Sequence, residues 1–370
     1  MLSRRVANDE SELLQLLADV LTLGDEVTWS IDLTDGGAAL AITILFNHGQ
    51  PVHYISGRAI HRASEGCRGE GKTDAKDAAV IAGQARIRHD LRPLRTGDEA
   101  VTDLEILTGR RADLVADRTR TVNRLRARLT GVFPGLERAL DLTGTGPLVL
   151  LTGYQTLASL RRTGKKRLET WLRNRKVLRA DRLAETALEA AGRQHTSLPG
   201  EKMIAQMVHT LAREVMVLNQ QVAELDKAIE ARFREHRDFE VIISMPGLGV
   251  ILGAEFLAAT GGDMSLFGTS DRLAGFGGVA PVPRDPGKIS GNLRRPRRYN
   301  RRLQRVFCIS ALFSIRHCED SRRFYERKRA EGKRHIQAVL ALAHRRVNVL
   351  WALPRDGRTY EAVPPTVIAA

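Results

Sequence analysis

Three aspartates and one serine stand where phosphodiester chemistry could be done. Asp32 ends a β-rich run, VTWSIDL, and the pair Gly36-Gly37 follows shortly after. Asp74 and Asp77 lie three apart in KTDAKDA, so on a helix they share a face. Carboxylates are the oxygen ligands that a hard cation such as Mg2+ takes. Two such ions would clamp the attacking and leaving oxygens of an in-line displacement. The same spacing also suits a plainer role, in which acidic side chains face the positive end of a helix dipole. Lys72 and Lys76 could meet phosphate, and Arg86, Arg88 and Arg92 follow, which favours the reading with a phosphate-bearing ligand.

The second constellation is RDPGKISGNLRRPRRYNRRLQR, residues 284–305, with seven arginines between Arg294 and Arg305. Such a run neutralises several phosphates and makes binding depend steeply on salt. Proline and glycine interrupt it, so its first part reads as a loop. Ser290 precedes the arginines in its own Ser-Gly. A hydroxyl placed there could attack a phosphodiester while guanidinium groups stabilise the developing charge. A loop serine is more often a turn residue, and that alternative stands.

These residues need elements to hold them. SELLQLLADVLT, residues 11–22, has the apolar spacing of an amphipathic helix, with Ser11 as its expected cap. VTWSIDL, the helix AALAITILFNHG and a second strand PVHYIS form a β-α-β pattern, which predicts a parallel, layered α/β domain. Residues 61–73 read as a glycine-rich loop, and a helix starts near Thr73. Residues 101–132 form a longer basic helix with the apolar stripe Val115, Val122, Leu125, Leu129 and Val132. Several short helices fill 147–195. In 201–236, Val208, Leu211, Val215, Leu218, Val222, Leu225 and Ile229 alternate spacings of three and four. That is an a/d seam, open to a helix of its own chain or of a second protomer. Pro246-Gly247-Leu248-Gly249 separates two apolar segments in the manner of a helix-hairpin-helix turn, where backbone amides could hold a phosphate. Helices are expected at 301–317 and 334–353.

The whole chain of 370 residues carries a net charge of +15 and a pI near 10.3, which points to a polyanionic partner. Three cysteines, with no CxxC pair, argue against a disulfide framework or zinc site and fit a reducing cytoplasm. No apolar run suits a bilayer span, and MLSRRVANDESE lacks the apolar stretch of a signal peptide.

GRAIHRASEGCRGEGKTDAKDAAVIAGQARIRHDLRPL resembles the end of the N-terminal domain of insertion-sequence 110-type transposases. ISMPGLGVILGAEFLAATGGDMSLFGTSDRLAGFGGVAP, with the Ser-Gly/arginine loop after it, resembles their C-terminal domain. The order KTDAKDA, long helical linker, PGLG, GGVAPVPR spans nearly the whole chain. The resemblance implies an α/β fold: a ribonuclease-H-like (RuvC-like) metal domain over 1–100, and a helical linker over 101–236 with a coiled coil at about 204–232. A mostly helical, serine-recombinase-like domain over 240–355 and a tail over 356–370 follow. It implies cut-and-join DNA transposition, with Asp32, Asp74 and Asp77 on Mg2+ and Ser290 as nucleophile. Lys72, Lys76, Arg294, Arg295, Arg297, Arg298, Arg301 and Arg302 would meet DNA or RNA. Its expected partners are DNA, a second or further copy of the chain, and in some members an element-encoded guide RNA.

The chain departs from that pattern at three points. Asp32 stands where the family has Glu. The sequence is expected to open inside the third strand, at MLSRRV, without the strand bearing the first Asp. The family's serine position reads Pro286-Gly287, four residues before Ser290. Two rival readings follow: a RuvC-like junction nuclease using metal alone, and an inactive remnant that still binds nucleic acid and dimerises.

Overall fold

Apolar residues at three- and four-residue spacing build the two longest helices of this computed structural model, α5 (Glu99–Val132) and α10 (Glu201–Arg234). The structure describes residues 4–24, 26–33, 36–55, 57–65, 73–88, 91, 94, 98–283, 291–294 and 296–362. Each of the two helices has 34 residues, or about 51 Å at 1.5 Å per residue. They run antiparallel, because Asp103 meets Arg232, Arg111 meets Asp226 and Arg118 meets Asn219. The chain divides into two compact units, 1–97 and 98–370.

In the second unit the α5–α10 pair carries a core at each end. At one end, α6 (Pro134–Ala139), α7 (Thr145–Gly153), α8 (Leu157–Arg173) and α9 (Ala180–Gly192) close around Leu125, Leu136, Leu148, Leu160, Ala187 and Val208. At the other, the start of α5 and the end of α10 share a core with α11 (Phe239–Ile243), α12 (Val250–Thr260), α13 (Ser270–Phe276), α14 (Arg301–His317) and α16 (His335–Asp356). Phe233, Phe256 and Phe307 are fully buried there. The boundary expected between 236 and 240 therefore falls inside one continuous core. Tyr360, in the expected tail, packs on that core and donates its backbone N–H to Ser244 Oγ at 2.8 Å. Between α14 and α16 lies α15 (Glu319–Ala330), which is polar on most of its surface and has no counterpart in the sequence expectations.

The seam of α10 faces its own chain. Val208, Val215, Val222 and Ile229 are buried, and α5 and α7 are the helices they pack against. A second protomer cannot take up side chains already removed from water, so the a positions do not form an interface between copies. Ile229→Asp is accordingly expected to unfold the protein rather than release folded monomers. It replaces a buried apolar side chain with an unpaired charge, a change of the class that costs more than about 4 kcal/mol. Denaturant melts and sedimentation on the same sample would check this. A folded monomer obtained from a dimeric parent would reinstate the seam as an interface.

The first unit contains α1 (Glu10–Leu21), β1 (Trp29–Ile31), α2 (Ala39–Asn47), β2 (Val52–Tyr54), α3 (Gly57–Glu65) and α4 (Asp74–Ile87). The cap of α1 is Asp9, not Ser11. Asp9 Oδ1 accepts from Glu12 N at 3.0 Å, and Ser11 Oγ donates to the same oxygen at 2.8 Å. β1 and β2 pair in parallel, Trp29 opposite Val52 and Ile31 opposite Tyr54, with α2 as the crossover. The expected β-α-β unit is present. Over the described residues as a whole the protein is mostly helical, with one further two-stranded pair, β3 (Val282–Pro283) against β4 (Leu293–Arg294). Among the described residues no helix is long and apolar enough to cross a membrane.

Candidate metal and nucleic-acid sites

Asp32 directly follows β1 and is half-buried; a Cβ on Gly57 would lie 3.9 Å from its Oδ2. Helix α4 packs against β1. Thr73 caps α4, its Oγ1 accepting from Lys76 N at 3.2 Å, and Asp77 N donates to the Thr73 carbonyl at 3.0 Å. Asp74 is exposed and Asp77 half-buried, both in the first turn. There they offset the partial positive charge of the unpaired amides. Among the described residues no three His, Cys, Asp or Glu side chains gather into a group that could hold a metal ion. Asp32, Asp74 and Asp77 do not fit a Mg2+ site in this arrangement. Lys72 lies outside the described residues.

The arginine arm is anchored by a glycine pair. A Cβ on Gly277 would come 2.3 Å from the Phe307 ring, and one on Gly278 2.4 Å from the Tyr299 ring, so GFGGVAP reads as a close-approach motif. Asn300 N donates to the Phe276 carbonyl at 2.8 Å, and Gln304 Nε2 to the Gly278 carbonyl at 3.2 Å. Asn300 then caps α14, accepting from Leu303 N at 3.1 Å. These contacts fix the far end of the arm on a rigid core. Arg294 on β4, then Arg297, Arg298, Arg301 and Arg302, are all exposed. None of these five has an acidic partner among the described residues, whereas Arg305 is spent inside the fold on the buried Glu255. The Arg302 guanidinium runs beside Gly109 of α5. Ser290, Arg295 and the Pro286-Gly287 pair lie outside the described residues.

The PGLG turn is committed to packing. Gly247 has φ +82°, and a Cβ there would sit 2.5 Å from the Ser310 carbonyl oxygen of α14. Arg346, only 6% exposed, donates through Nη2 to the Pro246 carbonyl and to Ser310 Oγ, the latter at 2.7 Å. Burial lowers the Arg346 pKa to about 10, so it stays cationic at neutral pH. Sequence spacing marked the turn and missed Arg346, which looks like any other helix arginine in HRRVNVL.

Comparison with known proteins connects these features. A DEDD-type transposase model of the insertion-sequence 110 group matches residues 1–134, and one described as "Transposase IS116/IS110/IS902 family" matches residues 239–326. The whole chain is 58% identical to the "Insertion element IS900 uncharacterized 42 kDa protein" of Mycobacterium paratuberculosis, covering 93% of it. It is 48% identical to the "Insertion element IS116 uncharacterized 44.8 kDa protein" of Streptomyces clavuligerus, covering 92% of that protein. Identity to the "Insertion element IS110 uncharacterized 43.6 kDa protein" of Streptomyces coelicolor is 36%, over 99% of this chain and 91% of the relative. The chain belongs to the IS116/IS110/IS902 transposase family. It is by family a DNA transposase. The DEDD class also implies a divalent metal, typically Mg2+.

Proposed function

We propose that this transposase cuts and joins DNA through Ser290, with the arginine arm of residues 294–302 holding the phosphates at the reacting strand. The observation that carries the reading is the set of five exposed arginines without acidic partners among the described residues, shortly after Ser290 in sequence and seated on a rigid glycine-anchored base. In the reaction Ser290 Oγ attacks phosphorus and a deoxyribose oxygen leaves with the proton that serine gives up. The strand is held as a phosphoserine until a second deoxyribose hydroxyl reverses the exchange. Guanidinium groups neutralise the charge on the five-coordinate phosphorus. We assign the first unit to the ribonuclease-H-like class, supported by its parallel β-α-β unit with Asp32 at the strand end.

The test is a donor–target recombination assay, with element ends on one plasmid and a target on another, followed by denaturing gels. Joined products and a denaturant-stable protein–DNA adduct are expected. Cleavage without an adduct would indicate a metal-only nuclease, and binding with neither product would indicate an inactive remnant. The arm itself is tested by changing Arg294, Arg295, Arg297 and Arg298 to Ala. If all four meet duplex phosphates, the slope of log K against log salt should fall by roughly 3–4. An unchanged slope would place the arm in solvent.

A further inference from the structure

We propose that the corner between α8 and α9 is a second contact surface for duplex DNA, remote in sequence from the arginine arm. The proposal rests on the family reading of the chain as a DNA-handling enzyme. Residues 157–182 hold ten Lys and Arg against two acids, so 26 residues supply more than half of the net +15. Four of the ten are used internally: Lys165 pairs with Glu185, Arg173 with Glu169, Arg161 donates to the Ala191 and Gln194 carbonyls, and Arg175 donates to the Trp171 carbonyl at 3.2 Å. Lys166, Arg167, Arg175, Lys176, Arg179 and Arg182 are exposed, and no acidic side chain pairs with them among the described residues. Several exposed arginines elsewhere are matched one turn away, as in Arg120–Asp117 and Arg234–Glu230.

Local backbone rules are broken here twice, each time in favour of a cation. Lys176 and Arg179 are the only non-glycine residues with positive φ among those described, at +58° and +54°. Lys176 sits just past the end of α8, donating its N–H to the Arg173 carbonyl at 2.8 Å. A left-handed residue after a helix is ordinarily glycine. Arg179 stands at the N-cap of α9 without any side-chain cap bond, where Ser, Thr, Asp or Asn would satisfy an orphan amide. Strain maintained at two positions three residues apart is what a functional surface, more than a folding requirement, would keep.

The corner is also preorganised. Val177 tucks into the core close to Gly146, which leaves Leu178 90% exposed between the two left-handed cations. Trp171 is wedged against Gly153 and edge-on to Tyr154, and the Arg175 guanidinium lies 3.7 Å from the Trp171 ring centroid. Lys166, Arg167, Trp171 and Asn174 line one shallow depression beside it. Cations flanking a projecting apolar side chain match the backbone-plus-wedge mode in which a side chain enters the minor groove of DNA. The wide, shallow minor groove of duplex RNA is met through 2′-hydroxyl contacts, for which the projecting apolar Leu178 supplies no hydrogen-bonding group.

The test uses the full chain, an arbitrary-sequence DNA duplex and the matching RNA duplex, with anisotropy across a salt series. Lys176→Gly with Arg179→Asn, both tolerant of positive φ, should lower the DNA slope by about 2. Adding Lys166→Ala and Arg167→Ala should bring the total fall to about 3–4. The melting temperature of the Lys176→Gly, Arg179→Asn protein should hold or rise, because two strained positions are relieved. Weaker DNA binding by a protein at least as stable is a combination that a structural role cannot produce. An unchanged DNA slope, or a fall on RNA alone, would overturn the surface. A parent chain whose DNA binding ignores salt would overturn this surface and the phosphate-holding role of the arginine arm together.

Discussion

Alanine at Gly247 is expected to destabilise the protein by about 2–5 kcal/mol, from a left-handed penalty of roughly 1–2 and an overpacking cost of roughly 1–3. The two contributions have separate origins. The backbone holds φ +82°, where a Cβ is disfavoured whatever surrounds it. The new Cβ would also stand 2.5 Å from the Ser310 carbonyl oxygen and 2.9 Å from Ser314 N. Both are backbone atoms inside α14, so neither can swing aside as a side-chain end would. Relief would need α14 to move, and α14 carries Phe307, Ser310 and Ala311 in the core as well as the end of the arginine arm. Gly249 supplies the control: its φ is −94° and nothing lies within 4 Å of its added Cβ. Gly249 is the N-cap of α12, where alanine is the poorer residue, so Gly249→Ala should cost no more than about 1 kcal/mol. Urea melts of the two variants give the comparison. Equal stability would reject the packing role of the turn, and a selective loss of DNA affinity in a fully stable Gly247→Ala protein would restore the turn as a phosphate site.

The same contrast shows what spacing can and cannot reveal. The 3.6-residue rhythm of α5 and α10 is legible because one face of each is continuously apolar. Which helix covers that face is not, since Val208, Val215 and Val222 would look the same against a neighbour in the chain or in another copy. The β-α-β unit was readable from alternating run types, and its parallel register follows from the helical crossover. Helix α15 escaped because EDSRRFYERKRA buries little more than Ser321 and has no apolar stripe to detect. Asp9 displaced Ser11 as a cap because a cap is chosen by backbone geometry one or two residues from where the periodicity starts. At the sites, DxxD was legible as a helix's first turn. Whether Asp32 meets Asp74 and Asp77 depends on how a strand end and a helix end are placed, which spacing does not encode. In sequence the α8–α9 corner reads only as short helices, because its meaning lies in φ values and in the acidic partners its cations lack among the described residues, neither of which a sequence displays.

Ser290→Ala is expected to abolish the denaturant-stable protein–DNA adduct and to lower recombination by at least about a thousandfold, the scale of losing a nucleophile outright. Affinity for duplex DNA and its salt slope should stay as they were, because the hydroxyl carries no charge and the arginines are untouched. That split separates a nucleophile from a residue that merely shapes the loop. A loop-shaping serine would shift binding and chemistry together, and threonine or glycine would substitute for it. Pro286 provides the second arm of the experiment. It occupies the position at which the family resemblance places the serine, and proline offers no nucleophilic atom. If Ser290 does the chemistry from four residues further on, Pro286→Ser should add nothing to the parent protein. It should also fail to rescue Ser290→Ala, because a hydroxyl four residues away would not meet the same phosphate. Rescue by Pro286→Ser in the Ser290→Ala background would instead assign the reacting position to residue 286 and leave Ser290 a turn residue. Persistence of the adduct in Ser290→Ala with Pro286 intact would remove both, and would direct the search to another hydroxyl beside the arginines, with Tyr299 next to the Gly278 turn as the nearest described one in sequence.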